Sequence, residues 1–174
     1  MKLTWFGNET FRLHTGGEIV VVLGQGEIAG IDAAELVSGA GLVVRFAEVD
    51  PVADPAAWRP RAALRPMEED EAGRVPQVWA LAPSVLVIDA DGEAPLVLST
   101  GALPKPGKWV DRAVIVLAGE DMAGRGSAVL ETSSPRLLAL AGEDGEVDAA
   151  FAQLRDRLDG TGMVALERGL AVEV

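Results

Sequence analysis

The fold class this chain predicts is α/β (α+β): two mixed sheets packed together with helices outside, in a single domain spanning residues 1–174. Three observations predict it. The longest apolar runs, Ile19 to Leu23 and Ala113 to Ala118, have the length of buried strands and fall far short of the roughly 20 residues that cross a bilayer. Glycine-containing turns separate most of the runs. One order of elements also occurs twice: strand, Gly-containing turn, strand, Gly, loop, buried strand. Phe11 to Gly24 with Leu42 to Phe46 is echoed by Val85 to Gly101 with Ala113 to Leu117, roughly 70 to 75 positions later.

Taken in order, Leu3 to Phe6 and Thr10 to His14 are short strands divided by the Gly7-Asn8-Glu9 turn, and Gly16-Gly17 turns the chain into the buried strand Glu18 to Leu23. Asp32 followed by Glu35 has the spacing of a capping box and predicts a helix over Ala33 to Ser38. Gly39 to Gly41 ends it, and Leu42 to Phe46 returns as a strand. From about Val49 to Pro76, proline, alanine and charge predict a long surface loop. Gln77 to Ala82 resumes the strand pattern, and Ser84 to Asp89, the Asp91-Gly92 turn and Pro95 to Leu98 read as a hairpin. Arg112 to Leu117 is another buried strand. A helix within Met122 to Thr132 stops before Pro135, since the residue preceding proline is driven from helical geometry. Leu137 to Leu140 is a strand, and Val147, Phe151, Leu154 and Leu158 recur at helical spacing within Glu146 to Leu158. Gly162 to Leu166 and Leu170 to Val174 close the chain.

The net charge of −12 opposes any phosphate-backbone partner, so nucleic acid is not expected. With no Cys there are no disulfides, thiolate nucleophiles or Cys-based metal sites. The opening residues lack an apolar signal segment, which leaves the cytoplasm as the expected compartment and no membrane association. One basic island, Arg59, Arg61 and Arg65, runs into Glu68, Glu69, Asp70 and Glu71. It is either a solvated loop whose charges offset one another or an anion-recognising loop.

Met1-Lys-Leu-Thr-Trp-Phe-Gly-Asn-Glu-Thr-Phe-Arg-Leu-His-Thr-Gly-Gly-Glu-Ile-Val-Val-Val22 resembles the opening of the UlaG-like metallo-β-lactamase-fold hydrolases. Segments at Ile31 to Val44, Val85 to Gly101, Ala113 to Gly119 and Pro135 to Leu140 follow in the family's order. The resemblance covers most of the chain, excepting about Ala53 to Arg74, and implies a four-layer αββα sandwich. It also implies a first shell of several His with Asp around zinc or iron, which neutral imidazole and carboxylate suit. This chain has one histidine. Asn8 stands at the family's first-turn His, and Leu23-Gly24 where Asp-Pro is expected. Phe46-Ala-Glu-Val-Asp-Pro51 replaces the His-x-His-x-Asp-His motif, keeping acids only at Glu48 and Asp50. Thr100 or Ser99 takes the bridging Asp position, and Ala141 or Gly142 the final His. The expected remnant of the pocket is therefore Asn8, Phe46, Glu48, Asp50, Thr100 and Gly142, with no metal, no cofactor and no catalytic residue.

Other motifs compete. Gly24-Gln-Gly-Glu-Ile-Ala-Gly30 has a glycine spacing reminiscent of dinucleotide loops, but the helix starts beyond its last glycine. His14 alternates with Phe11 and Leu13 and so faces solvent. Ser127 is expected at a helix start and lacks a nucleophile-elbow pattern. Glu48, Asp50 and Asp54, like Asp89, Asp91 and Glu93, suit either solvated loops or, for the first group, a hard cation. Trp58 and Trp109 lie in loop-like contexts that suit either the core or a groove. The function expected is that of a metal-free pseudoenzyme serving as a binding or regulatory module. It is expected to act as a homo-oligomer or with a protein partner. The alternatives are a hydrolase with another ligand set (Glu48, Asp50 and His14) or a small-molecule binder using the vacated pocket.

Overall fold

The computed structural model describes residues 1–26, 28–62 and 75–174. Among the described residues, eleven strands make two mixed sheets. The first contains β1 (Lys2–Gly7), β2 (Thr10–Thr15), β3 (Glu18–Leu23), β4 (Leu42–Arg45) and β11 (Ala171–Glu173), in the order β11-β1-β2-β3-β4. The second runs β10-β9-β8-β7-β6-β5, from β5 (Gln77–Ala82), β6 (Val85–Asp89), β7 (Leu96–Ser99), β8 (Val114–Ala118), β9 (Leu137–Ala141) and β10 (Gly162–Ala165).

The order repeated in the sequence is repeated in the pairing. β1, β2 and β3 are successive antiparallel neighbours, and β4 then pairs parallel to β3. β5, β6 and β7 do the same, with β8 parallel to β7. Parallel β9 and β10 extend only the second sheet. Alternation decides which side chains meet. Leu3, Trp5, Phe11, Leu13, Val20 and Val22 of the first sheet share one core with Leu86, Ile88, Leu96, Leu98, Val114 and Val116 of the second. The other faces of β6 to β9 carry Val85, Val87, Val97, Ile115, Leu117, Leu138 and Leu140, which pack against Val129, Val147, Ala150 and Leu154 of two helices. Burial on both faces explains the continuous apolar runs.

Those helices are α2 (Met122–Thr132) and α3 (Asp144–Leu154). They approach closely because Gly126 presents no side chain; a Cβ there would sit 2.6 Å from Leu154 Cδ1. α3 ends earlier than its apolar spacing predicts, passing into a short 3-10 turn at Arg155–Arg157. The first helix, α1 (Ala33–Leu36), has only four residues. Asp32 caps it by accepting from Ala34 N at 2.9 Å, and the reciprocal bond from Glu35 does not form. Arg12, on the outer face of β2, donates to the carbonyls of Leu36 and Ser38 at the helix end, both at 2.9 Å. A cation there offsets the exposed carbonyl dipoles.

Trp58, Trp79 and Trp109 form one edge-to-face cluster, with centroids 5.7 Å apart for Trp58–Trp79 and 4.6 Å for Trp58–Trp109. Trp58 and Trp109 are buried, and Trp109 Nε1 donates to the Pro55 carbonyl, so both serve the core. Ser127 lies inside α2, not at its start; it is buried and accepts from Gln153. Among the described residues no helix is long and apolar enough to cross a membrane.

Two glycines separate steric from conformational demands. A Cβ on Gly24 would overlap the Asn8 carbonyl oxygen, whereas Gly92 has a positive φ and open space around it. Gly24→Ala is expected to cost about 3 kcal/mol or more because backbone must move. Gly92→Ala is expected to cost about 1–2 kcal/mol, the left-handed penalty alone. Urea denaturation of the two variants checks the order.

Candidate functional site

β3 and β4 run parallel, as do β7, β8 and β9, so the residues following them collect at the carboxyl ends of their sheets. The β1–β2 turn joins the first set. Asn8 and Glu9 both adopt left-handed geometry, at φ 44° and 59°. Thr10 holds this turn against the end of β3: its hydroxyl donates to the Asn8 carbonyl at 3.4 Å and accepts from Gly24 N at 3.0 Å. The Glu9 carboxylate then reaches the second sheet. Oε1 lies 3.5 Å from where a Cβ on Gly119 would stand, and the Thr100 carbonyl lies 3.6 Å from the same point. Gly119, with φ 79°, lets the two sheets' ends meet there.

Arg125 occupies this junction from the outer side. Asp121 begins α2 as a left-handed N-cap and accepts from Gly124 N at 3.1 Å. One turn later the Arg125 guanidinium folds back over the strand ends. Nη1 donates to the carbonyls of Ser99 (3.1 Å) and Gly101 (3.2 Å), and Nη2 to that of Ala118 (2.6 Å). Burial lowers its pKa, while Asp121 and Glu9 act in the opposite sense; an arginine so placed stays charged at neutral pH.

The expected remnant pocket is thus divided. The Thr100 carbonyl lies beside Gly119 with the Glu9 carboxylate, and Asn8 lies against Gly24. Phe46 starts a 3-10 turn (Phe46–Glu48) and is buried in the core shared by the sheets. Glu48 and Asp50 line a groove of about 300 Å³ between β4 and β5, beside Leu42, Val44 and Trp79. There Glu48 lies 3.7 Å from Arg45 in an exposed ion pair. Gly142 lines another cavity, of about 680 Å³, with Trp5, Glu143, Val147, Leu166 and Arg168. Arg168, unremarked in the sequence, donates to the carbonyls of Phe6 (2.8 Å) and Ala29 (2.9 Å) and ties the closing turn to β1. Trp5 is 7 % exposed, and its Nε1 is buried with no hydrogen-bond partner.

His14 lies near the opposite end of β2, exposed, between Lys2 and Ile19 in register. Among the described residues no three His, Asp or Glu side chains gather as a metal-binding group, so Glu48, Asp50 and His14 do not converge. The residues present do not fit zinc or iron. Phe46 and Gly142 offer no donor atoms on their side chains, and Arg125 already places a positive charge beside Glu9.

The glycine-rich stretch from Gly24 to Gly30 leads into the four-residue α1, too short to present the helix terminus that a pyrophosphate needs. Gly24, Gly26 and Ile28 instead border a cavity of about 410 Å³, with Leu23, Ile31, Leu36 and Arg45. In the basic island, Arg59 donates to the neighbouring carbonyls of Ala56 and Trp58. Arg61 is held by Asp89: Nε donates to Oδ2 at 2.8 Å and Nη2 to the Asp89 carbonyl at 2.8 Å. Arg65, Glu68, Glu69, Asp70 and Glu71 lie outside the described residues.

Compared with protein-family models, curated proteins and solved structures, the chain gave no significant match to any.

The Asp89 side chain is 3 % exposed, so removing its partner strands a charge. Arg61→Ala is expected to cost about 3 kcal/mol in chemical denaturation, and Arg59→Ala less than about 1 kcal/mol.

Proposed function

We propose that this chain is a metal-free member of the metallo-β-lactamase fold, a four-layer αββα sandwich that has lost the metal-ligand motif. It acts as a binding or regulatory module in a homo-oligomer or with a protein partner, not as a hydrolase. The order of segments quoted from the sequence supports the fold, as do the repeated pairing of the two halves and the helices outside the second sheet.

One observation carries the functional part. Where β7 and β8 end, beside the first turn, the side chain present is the Arg125 guanidinium, bound to three carbonyls. A fixed cation there opposes a divalent ion electrostatically and supplies no lone pair to ligate one. The family's hydrolysis needs a metal-bound water of lowered pKa, and here the Arg125 guanidinium already occupies the oxygens that face the junction. With that chemistry removed, what the fold retains is its surface and its cavities.

A second reading, a small-molecule binder, has its own support. Trp5 borders the cavity that Gly142 lines, and a buried indole N–H without an acceptor costs roughly 1–3 kcal/mol. A ligand oxygen that displaced the packing over Nε1 would recover that cost.

Native mass spectrometry of untagged protein, prepared without chelator, tests both. The expected spectrum shows no zinc or iron adduct and reports the subunit count. A stoichiometric metal that survives dilution overturns the metal-free reading. A retained organic mass that is lost in Trp5→Phe decides for the small-molecule reading.

A further inference from the structure

The carbonyls of Ser99, Gly101 and Ala118 come from two different strand ends, yet they meet on one guanidinium. Their convergence is a property of the backbone. β7 and β8 are parallel neighbours, with Ser99 opposite Leu117, so their carboxyl ends stop side by side. Gly101 lies past the end of β7, so its carbonyl needs other donors. The Ser99 hydroxyl gives one, at 2.6 Å, and the guanidinium gives another. Two carboxylates, Glu9 and Asp121, lie close enough to favour its charge.

Arg125 itself is imperfectly served. Its Nε is buried without a protein partner. Such a set, main-chain oxygens with carboxylates nearby, is what cations bind. A planar fork of N–H donors matches oxygens drawn from adjacent strands better than a compact ammonium does.

We propose that the ends of β7 and β8, with Glu9 and Asp121, form a cation socket that the chain fills with its own Arg125 side chain. A free guanidinium ion is the external ligand it takes when that side chain is cut back. The inference deepens the metal-free reading, because an internal cation gives the strand ends the cross-link that a bound ion would otherwise supply. It stands on separate ground. Metal retained by the native chain would overturn the reading above, while failure of the test below overturns only the socket.

The test is thermal unfolding of Arg125→Ala beside the unaltered chain, each in about 20 mM guanidinium chloride or the same concentration of sodium chloride. That concentration is far below those at which guanidinium unfolds proteins. The variant is expected to melt roughly 5–10 °C below the unaltered chain. Guanidinium is expected to restore at least half of that loss, sodium to restore little, and the unaltered chain to respond to neither. Equal recovery in both salts, or recovery in neither, overturns the socket. If Arg125→Ala does not fold, Arg125→Lys and Arg125→Gln separate charge from hydrogen bonding. Lysine is expected to melt above glutamine, and glutamine melting at or above lysine overturns a socket selective for cations.

Discussion

β6, β7, β8 and β9 are covered on both faces, and the other layers are arranged by what those faces require. One face demands a second apolar sheet, supplied by β1, β2 and β3; the other demands apolar helices, supplied by α2 and α3. Each fully buried Val, Leu or Ile contributes about 1.5–3 kcal/mol, so no single contact decides the fold but the shared requirement does. Parallel pairing of β7, β8 and β9 adds a further constraint: each strand must be reached by a crossover that returns the chain to the same end. The consequence is that the loops after β7, β8 and β9 are gathered at one edge of the sheet. The β1–β2 turn then comes over Gly119 through Glu9.

Arginine is the second organising element. Arg12 holds the end of α1, Arg61 a buried aspartate, Arg125 the ends of β7 and β8, and Arg168 the end of β1 and the residue at Ala29. All four donate to main-chain carbonyls. A guanidinium bridging two or three oxygens links separate segments in a way a single donor cannot. In a chain of net charge −12, these four of its fifteen Lys and Arg residues are placed at the structure's joints.

How much of this was legible in the residues varies with distance along the chain. Strand and helix positions were readable because they depend on local periodicity: Met122–Thr132 follows the predicted helix, and the Val85 to Ser99 hairpin follows its turn. The duplicated order was readable too, and the strand pairing repeats it. The candidate pocket was readable only in part. Asn8 lies against Gly24 and Thr100 beside Gly119, Phe46 is in the core, and Glu48 and Asp50 belong to a groove at β4 and β5. Trp58 and Trp109, ambiguous in their proline-rich surroundings, are brought onto each other by chain segments some fifty residues apart.

Composition and pattern by themselves determined the fold class, the repeat, the solvent-facing histidine and the scarcity of histidine and cysteine ligands, because each follows from residue type and near-neighbour spacing. Tertiary structure alone decided that Arg125 would lie over Ser99 and Ala118, that Arg61 would be held by Asp89, and that Gly24 would leave no room beyond Asn8. The local pattern Asp121-Met-Ala-Gly-Arg125 specifies a capped helical turn and says nothing of the oxygens the arginine meets. Those oxygens belong to the backbone, which every residue carries alike, and only the pairing of the strands brings three of them to one place.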